Sequence, residues 1–290
     1  MSIVKSRKIF YAVSGMLVVL ASGSLLLRGL NLGVDFKGDA RIEITFADEK
    51  NGEAVEEAIR GLNLSNISIT IENGRDVMIR TRYISEEEHQ MLLENLQAVG
   101  EFAEKSFVAT GPSVGRQLRR NALIAILISL AAIIMYIAFV FRQVSRPVPS
   151  WVYGLIAIAA LAHDVLITTG VFSYLRYEID ALFISALLTV IGFSVHDTIV
   201  VFDRVREHLR HDARGNFEDL VERSLRDTIV RSINTSVTIL VSLFAIYFFG
   251  GGATQNLALA LIIGIGIGTY SSIFIASPLL VTIAKWLGKA

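Results

Sequence analysis

The sequence predicts an α-helical integral membrane protein with six spans and a small extracytoplasmic α+β domain between the first two. Three observations carry this. Apolar residues make up 53% of the 290 and charged ones only 19%, below the usual quarter for a soluble domain. From Ser232 to Ala284 the chain has 53 consecutive residues without Lys, Arg, Asp or Glu. By contrast, residues 29–120 carry 16 Asp and Glu, an acidic excess typical of a soluble segment. The formal net charge is zero, so no basic surplus exists to bind nucleic acid by neutralising phosphates. Cysteine is absent, which excludes disulfides and thiolate metal or redox sites.

About 20 apolar residues cross a bilayer core. Residues 1–28 read as a cytoplasmic N-terminus and a first span, Ile9–Leu27, set between Lys8 and Arg28. Nineteen residues exceed a signal-peptide core, and no A-x-A site follows, so this segment reads as an anchor. Residues 121–290 supply spans at 121–141, 151–175, 181–202, 232–249 and 257–284, the last two separated by Gly250-Gly251-Gly252. A cytoplasmic loop, 203–231, joins the fourth and fifth. With the N-terminus inside, the inner segments hold 14 Lys and Arg: Lys5, Arg7, Lys8, Arg142, Arg146, seven Arg in 203–231, Lys285 and Lys289. The short outer loops hold only Arg176, so the positive-inside rule places both termini in the cytoplasm and residues 29–120 outside. Arg116, Arg119 and Arg120 run against that bias. Phe141, Trp151, Tyr153 and Trp286 at one side, with Tyr174 and Tyr177 at the other, read as interface aromatics.

In residues 29–120, Arg41–Phe46 alternates as a half-buried strand, and Glu53–Leu62 reads as an amphipathic helix. Asn66–Ile71 and Val77–Arg82 read as strands joined by an Asn73-Gly74 turn. A capping box at Ser85-Glu86-Glu87-Glu88 opens a second helix that Gly100 ends, and Ser106–Ala109 is a last strand. The order β-α-β-β-α-β is that of the ferredoxin-like unit. His89, on the second helix, is expected at its surface or rim.

Ionisable groups at the bilayer centre cost about 2.5–3.5 kcal/mol each and normally face a bundle interior. Two pairs occur here. His163-Asp164 lies mid-way along the third span, and His196-Asp197 lies about 9 Å from the cytoplasmic end of the fourth at 1.5 Å per residue. Arg231 opens the fifth span at a depth where it could pair with Asp197, and Ser236 and Thr238 follow. One reading makes these acids hydrogen-bonded glue between helices. The sharper reading is a proton path through Asp164, His163, His196, Asp197 and Arg231, since a carboxyl in low dielectric can alternate between neutral and charged forms. A metal site is disfavoured, because adjacent residues project about 100° apart on a helix. An intramembrane aspartyl protease is disfavoured too, because its Tyr-Asp and Gly-x-Gly-Asp settings are missing. Gly264-x-Gly266-x-Gly268 mimics a dinucleotide fingerprint, but Gly264, Gly268 and Ser272 fall four apart as a small-residue packing face.

Ile191–His208 reads IGFSVHDTIVVFDRVREH, which resembles the fourth-span signature of the SecF family, the smaller partner in SecD–SecF complexes. Gly33-Val34-Asp35-Phe36-Lys37-Gly38 and Gly111-Pro112-Ser113-Val114-Gly115 are similar to that family's segments flanking the outer domain. Ala162-His163-Asp164, Asn234-Thr235-Ser236, Phe249-Gly250-Gly251 and Ile263–Ser272 fit in order. The resemblance implies an RND-type subunit of the bacterial inner membrane. Such a subunit pairs with SecD and uses the proton-motive force to help exported unfolded polypeptide through the SecYEG channel after SecA pushes it in. It implies no catalytic residue, no metal and no cofactor. By the same analogy Asp197 is the protonatable carboxyl and Arg231 its gating partner, with Gly192, Ser194, Asn234 and Ser236 as supporting motif residues. The family's usual Tyr-Ser-x-Asn-Asp is here Phe193-Ser194-Val195-His196-Asp197, which replaces a neutral amide with a titratable imidazole. Its usual Gly-Gly is here Gly38-Asp39. The alternative is an RND-type exporter of small molecules or lipids, for which one outer domain of about 80 residues is small to enclose a substrate cavity.

Overall fold

The computed structural model describes residues 2–49, 52–62, 64–142, 148–211 and 216–287. Arg146, Arg214 and Lys289, counted above among the inner cations, lie outside the described residues. The chain divides into two compact units, Leu32–Leu123 and the remainder, with the division falling inside one helix.

The smaller unit contains a one-turn helix α2 (Val34–Lys37), then β1 (Asp39–Phe46), α3 (Gly52–Ile59), β2 (Ser68–Glu72), β3 (Asp76–Arg82), α4 (Glu86–Gln97) and β4 (Phe102–Ala109). The sheet is antiparallel in the order β2-β3-β1-β4. Alternation in β1 buries Ala40, Ile42, Ile44 and Phe46 beneath the helices, together with Val55, Ile59, Leu92 and Leu96. The expected capping box forms: the Glu88 amide donates to Ser85 Oγ at 3.3 Å, and the Ser85 amide donates to Glu88 Oε2 at 3.0 Å. β4 is twice as long as the sequence suggests. The register jumps between Glu43 and Ile44, leaving Lys105 bulged out, and a bulge breaks the period-two pattern by which a strand is read. His89 corrects its expectation, being 4% exposed and stacked on Phe107 with ring centroids 3.7 Å apart. Its spacing to Leu92 and Leu96 is the buried face of α4.

The two glycine motifs pack on each other. Gly38 adopts φ +82°, and a Cβ there would fall 2.6 Å from Pro112 Cα; one at Gly115 would meet the Asp35 and Phe36 carbonyls at 3.2 and 3.3 Å. A single glycine therefore suffices for the tight bend, and the residue after it, Asp39, is free to start β1 and accept from Arg80 Nε at 3.3 Å.

The six spans are α1 (Arg7–Arg28), α5 (Pro112–Val140), α6 (Ser150–Leu175), α7 (Ala181–His211), α8 (Phe217–Phe249) and a last one, Gly252–Trp286. The last comprises α9 (Gly252–Ser271), a π-helical turn Ser272–Ala276 and α10 (Ser277–Trp286). Several helices outrun the apolar runs that revealed them. α5 begins at Pro112, whose fixed φ suits a first helical position. α7 and α8 extend well into the segment expected as a 203–231 loop. Val205, Phe217, Val221 and Leu225 from these extensions join the main core. Phe141 and Tyr153 are likewise core, stacked at 5.2 Å with Phe202 edge-on, and are not interface aromatics. The π turn precedes Pro278, which lacks an N–H, and Ser277 Oγ donates to the Ser272 carbonyl at 3.0 Å.

Candidate functional site

Four helices bring the site together, and α9 touches the other three: α6, α7 and α8. Its glycines make the approach possible. A Cβ on Gly264 would fall 2.3 Å from Val190 Cγ2, and one on Gly268 would fall 3.1 Å from Ser194 Cβ and 3.5 Å from Asp164 Oδ2. Gly266 points to open space. The spacing of four is thus a packing face.

Asp164 is fully enclosed. Ser194 Oγ of α7 donates to its Oδ2 at 2.6 Å, Ser271 Oγ of α9 donates to the same oxygen at 2.9 Å, and His163 Nδ1 lies 2.9 Å from Oδ1. His163 Nε2 is without a hydrogen-bond partner among the described residues. The polar cluster continues along the helices. Ser272 Oγ donates to the Ser194 carbonyl at 3.3 Å and meets Thr198 Oγ1 at 2.8 Å.

Asp197 is 5% exposed. Ser232 Oγ of α8 donates to its Oδ1, while Oδ2 has no partner among the described residues. Ser236 Oγ donates to the Ser232 carbonyl at 2.9 Å and meets Thr269 Oγ1 of α9 at 2.6 Å. α9 therefore presents Thr269 toward the Asp197 side and Ser271 toward Asp164, two residues apart. Arg231 is exposed on α8 and forms no ion pair with Asp197; its neighbour Ser232 occupies the contact.

The sequence-derived residues thus divide. Asp164, His163, Ser194, Asp197 and Ser236 face inward, whereas Gly192, His196, Arg231 and Asn234 stand on exposed helix faces. On α7 the exposed set Ser185, Thr189, Gly192 and His196 recurs every three or four residues, and on α8 Arg231, Asn234, Thr235, Thr238 and Ser242 do the same. Ser232 and Ser271, which bond the carboxyls, and Thr198 and Thr269, which extend the hydroxyl chain beside them, escaped the sequence reading. Their signal was present as hydroxyls at helical spacing in otherwise apolar spans.

A family model described as "Protein export membrane protein SecD/SecF, C-terminal" matches residues 90–286, and one described as "SecD/SecF GG Motif" matches residues 23–47. The chain belongs to the SecF family of the Sec protein-export machinery. Its similarity to the protein translocase subunit SecF of Thermobaculum terrenum is 42% identity over 97% of this chain and 93% of that protein. To the subunit of that name from Haemophilus influenzae it is 40%, over 94% and 82%. A crystal structure of SecDF, a translocon-associated membrane protein from Thermus, matches with TM-score 0.87 at 31% identity, covering 98% of this chain and 39% of that one. A second SecDF structure, in a super-membrane-facing form, matches with TM-score 0.71 at 30% identity, over 100% and 40%. The chain thus spans about two fifths of the SecDF chains it resembles. Relatives named as translocase subunits are transport components, and they do not favour the small-molecule exporter reading.

Proposed function

We propose that this chain pairs with a SecD-type subunit in the bacterial inner membrane and uses protons taken up at Asp197 to assist export of unfolded polypeptide. One observation carries the reading. Asp197 is buried with one oxygen bonded to Ser232 and the other unpartnered among the described residues, beside helix faces that expose His196 and Arg231. A carboxyl in that setting exchanges a proton without dismantling a network, because only one hydrogen bond depends on its state. The exposed polar stripes of α7 and α8 support the partner. Such faces are costly against acyl chains and are normally turned into a bundle, and the similar SecDF chains contain about two and a half times the matched length. The partner helices then cover Arg231 and His196, and Arg231 senses the charge on Asp197 across the seam.

In the cycle, proton entry neutralises Asp197 and ends its attraction to Arg231. The helices rock, and the outside domain, residues 29–120, moves so that a chain emerging from SecYEG after its push by SecA cannot slip back. Both termini are cytoplasmic. No covalent step, bound cofactor, metal or nucleic acid takes part; the gradient supplies about 2.3 kcal/mol per elementary charge per 100 mV. The test replaces Asp197 by Asn in cells lacking the native subunit. Loss of the export that depends on the proton-motive force, at normal protein level, is expected; undiminished export would refute the proton role.

A further inference from the structure

The start of α5 carries a feature that the export mechanism does not use. Arg116, Arg119 and Arg120 are exposed, on a helix with no acidic residue, in a stretch from Lys105 to His163 that contains no Asp or Glu. None of the three guanidinium groups forms an ion pair or hydrogen bond among the described residues. Other arginines at span ends are held. Arg28 Nη1 donates to the Tyr174 carbonyl at 2.6 Å and its guanidinium lies 4.6 Å from that ring's centre, while Arg176 Nη1 donates to the Arg28 carbonyl at 2.7 Å.

Spacings of three and four place Arg116, Arg119 and Arg120 on neighbouring positions of one helix face. The same face of the helix continues with Leu123, 60% exposed, and Leu127, 56% exposed. Cations followed directly by outward leucines form the boundary between headgroup and acyl layers, where long basic side chains reach for phosphates. At 1.5 Å per residue the three cations span about 6 Å along the axis, the depth of a headgroup layer and not of an extended surface. They run against the positive-inside bias expected from the sequence, so the charge bias that sets topology does not account for them. A guanidinium fork pairs with phosphate or carboxylate, and no carboxylate is offered.

We propose that Arg116, Arg119 and Arg120 form a binding site for the phosphodiester headgroups of anionic phospholipids. The bound headgroup pins the first turns of α5 next to Gly115, where the two glycine motifs pack, and so steadies the root of the outside domain. The site stands independently of proton uptake at Asp197.

The test uses the full-length chain in phosphatidylcholine vesicles doped with spin-labelled phosphatidylglycerol or spin-labelled phosphatidylcholine, and reads the motionally restricted lipid fraction. The parent is expected to prefer phosphatidylglycerol. Each single Arg→Gln change should weaken that preference about fivefold, and the triple R116Q/R119Q/R120Q by more than tenfold, with phosphatidylcholine association unchanged. The triple Arg→Lys variant, which keeps the charge, should retain most of the preference, and it separates loss of charge from loss of folding. Inorganic phosphate at millimolar concentration should not displace the lipid. Displacement by phosphate would make this a free-anion site and overturn the headgroup assignment. Equal preference in the parent and the triple Gln variant would overturn it as well, as would a parent without preference, the result expected if a protein partner covers these arginines.

Discussion

Asp164 and Asp197 are both carboxyls in apolar spans, both preceded by histidine, yet the structure treats them differently. Asp164 is sealed by three helices and meets Ser194, Ser271 and His163. Among the described residues, Asp197 has one donor, Ser232, and one unpartnered oxygen. The first is bound into the packing and the second is left responsive. A buried carboxyl with both oxygens bonded is held rigid by its partners, whereas one with an unbonded oxygen can change state at the cost of a single hydrogen bond.

The largest effect should come from breaking the sealed site. Asp164→Ala strands the Ser194 hydroxyl and the His163 ring nitrogen, each costing about 1–3 kcal/mol when left unpaired, while Ser271 keeps the Gly268 carbonyl as acceptor, so thermal stability in detergent should fall sharply. Asp164→Asn, which can still accept, should recover most of it. Equal stability of the parent and the Ala variant would remove Asp164 from the packing. Next comes the glycine face that closes the site. Gly268→Ala forces a methyl against Ser194 and toward Asp164, an overpacking cost of about 1–3 kcal/mol, while Gly266→Ala, with open space at its Cβ, should be neutral. If both variants melt alike, the close approach of α9 is not what encloses Asp164.

Ser232→Ala should cost about 1 kcal/mol in stability, yet should displace the pH profile of proton-dependent export because it removes the donor on Asp197. An unchanged profile with reduced stability would make Ser232 purely structural. The smallest effect concerns the N-terminal end of α8, ahead of its apolar run, in the helix that carries Ser232. Lys285 above all, and Arg7 at 2.8 Å, hold the Glu218 carboxyl below its ordinary value of 4.5. A depressed carboxylate contributes stability that is complete above that ordinary value and is lost as the pH falls through the lower folded value. The contribution is below about 1 kcal/mol and screened by salt. Acidification of the parent should therefore loosen this end slightly more than it does in Glu218→Gln, measured by hydrogen exchange of residues 217–225; equal loosening would discard the ion pair.

Much of this was legible in the residues. The spans, the β-α-β-β-α-β order and the inward charges follow from hydropathy, alternation and the cost of burying ions, which act locally along the chain. What misled the reading was local pattern overridden by packing. Lys105 bulges out and hides half of β4, His89 is buried by the face it shares with Leu92 and Leu96, and α7 and α8 continue as helices beyond their apolar runs because Val205, Phe217 and Leu225 join the main core.

The sequence by itself determined that this is a six-span protein with costly charges inside the bilayer, because an apolar run and an isolated Asp in it can be counted without knowing any neighbour. Only the tertiary structure decided which carboxyl is sealed and which is open, and that Ser232 takes the contact on Asp197 while Arg231 faces outward. That difference depends on hydroxyls from α7, α8 and α9, up to 107 residues distant from the acid they meet. Hydrogen bonds across helices are set by crossing geometry and close approach at glycine, neither of which a linear pattern encodes.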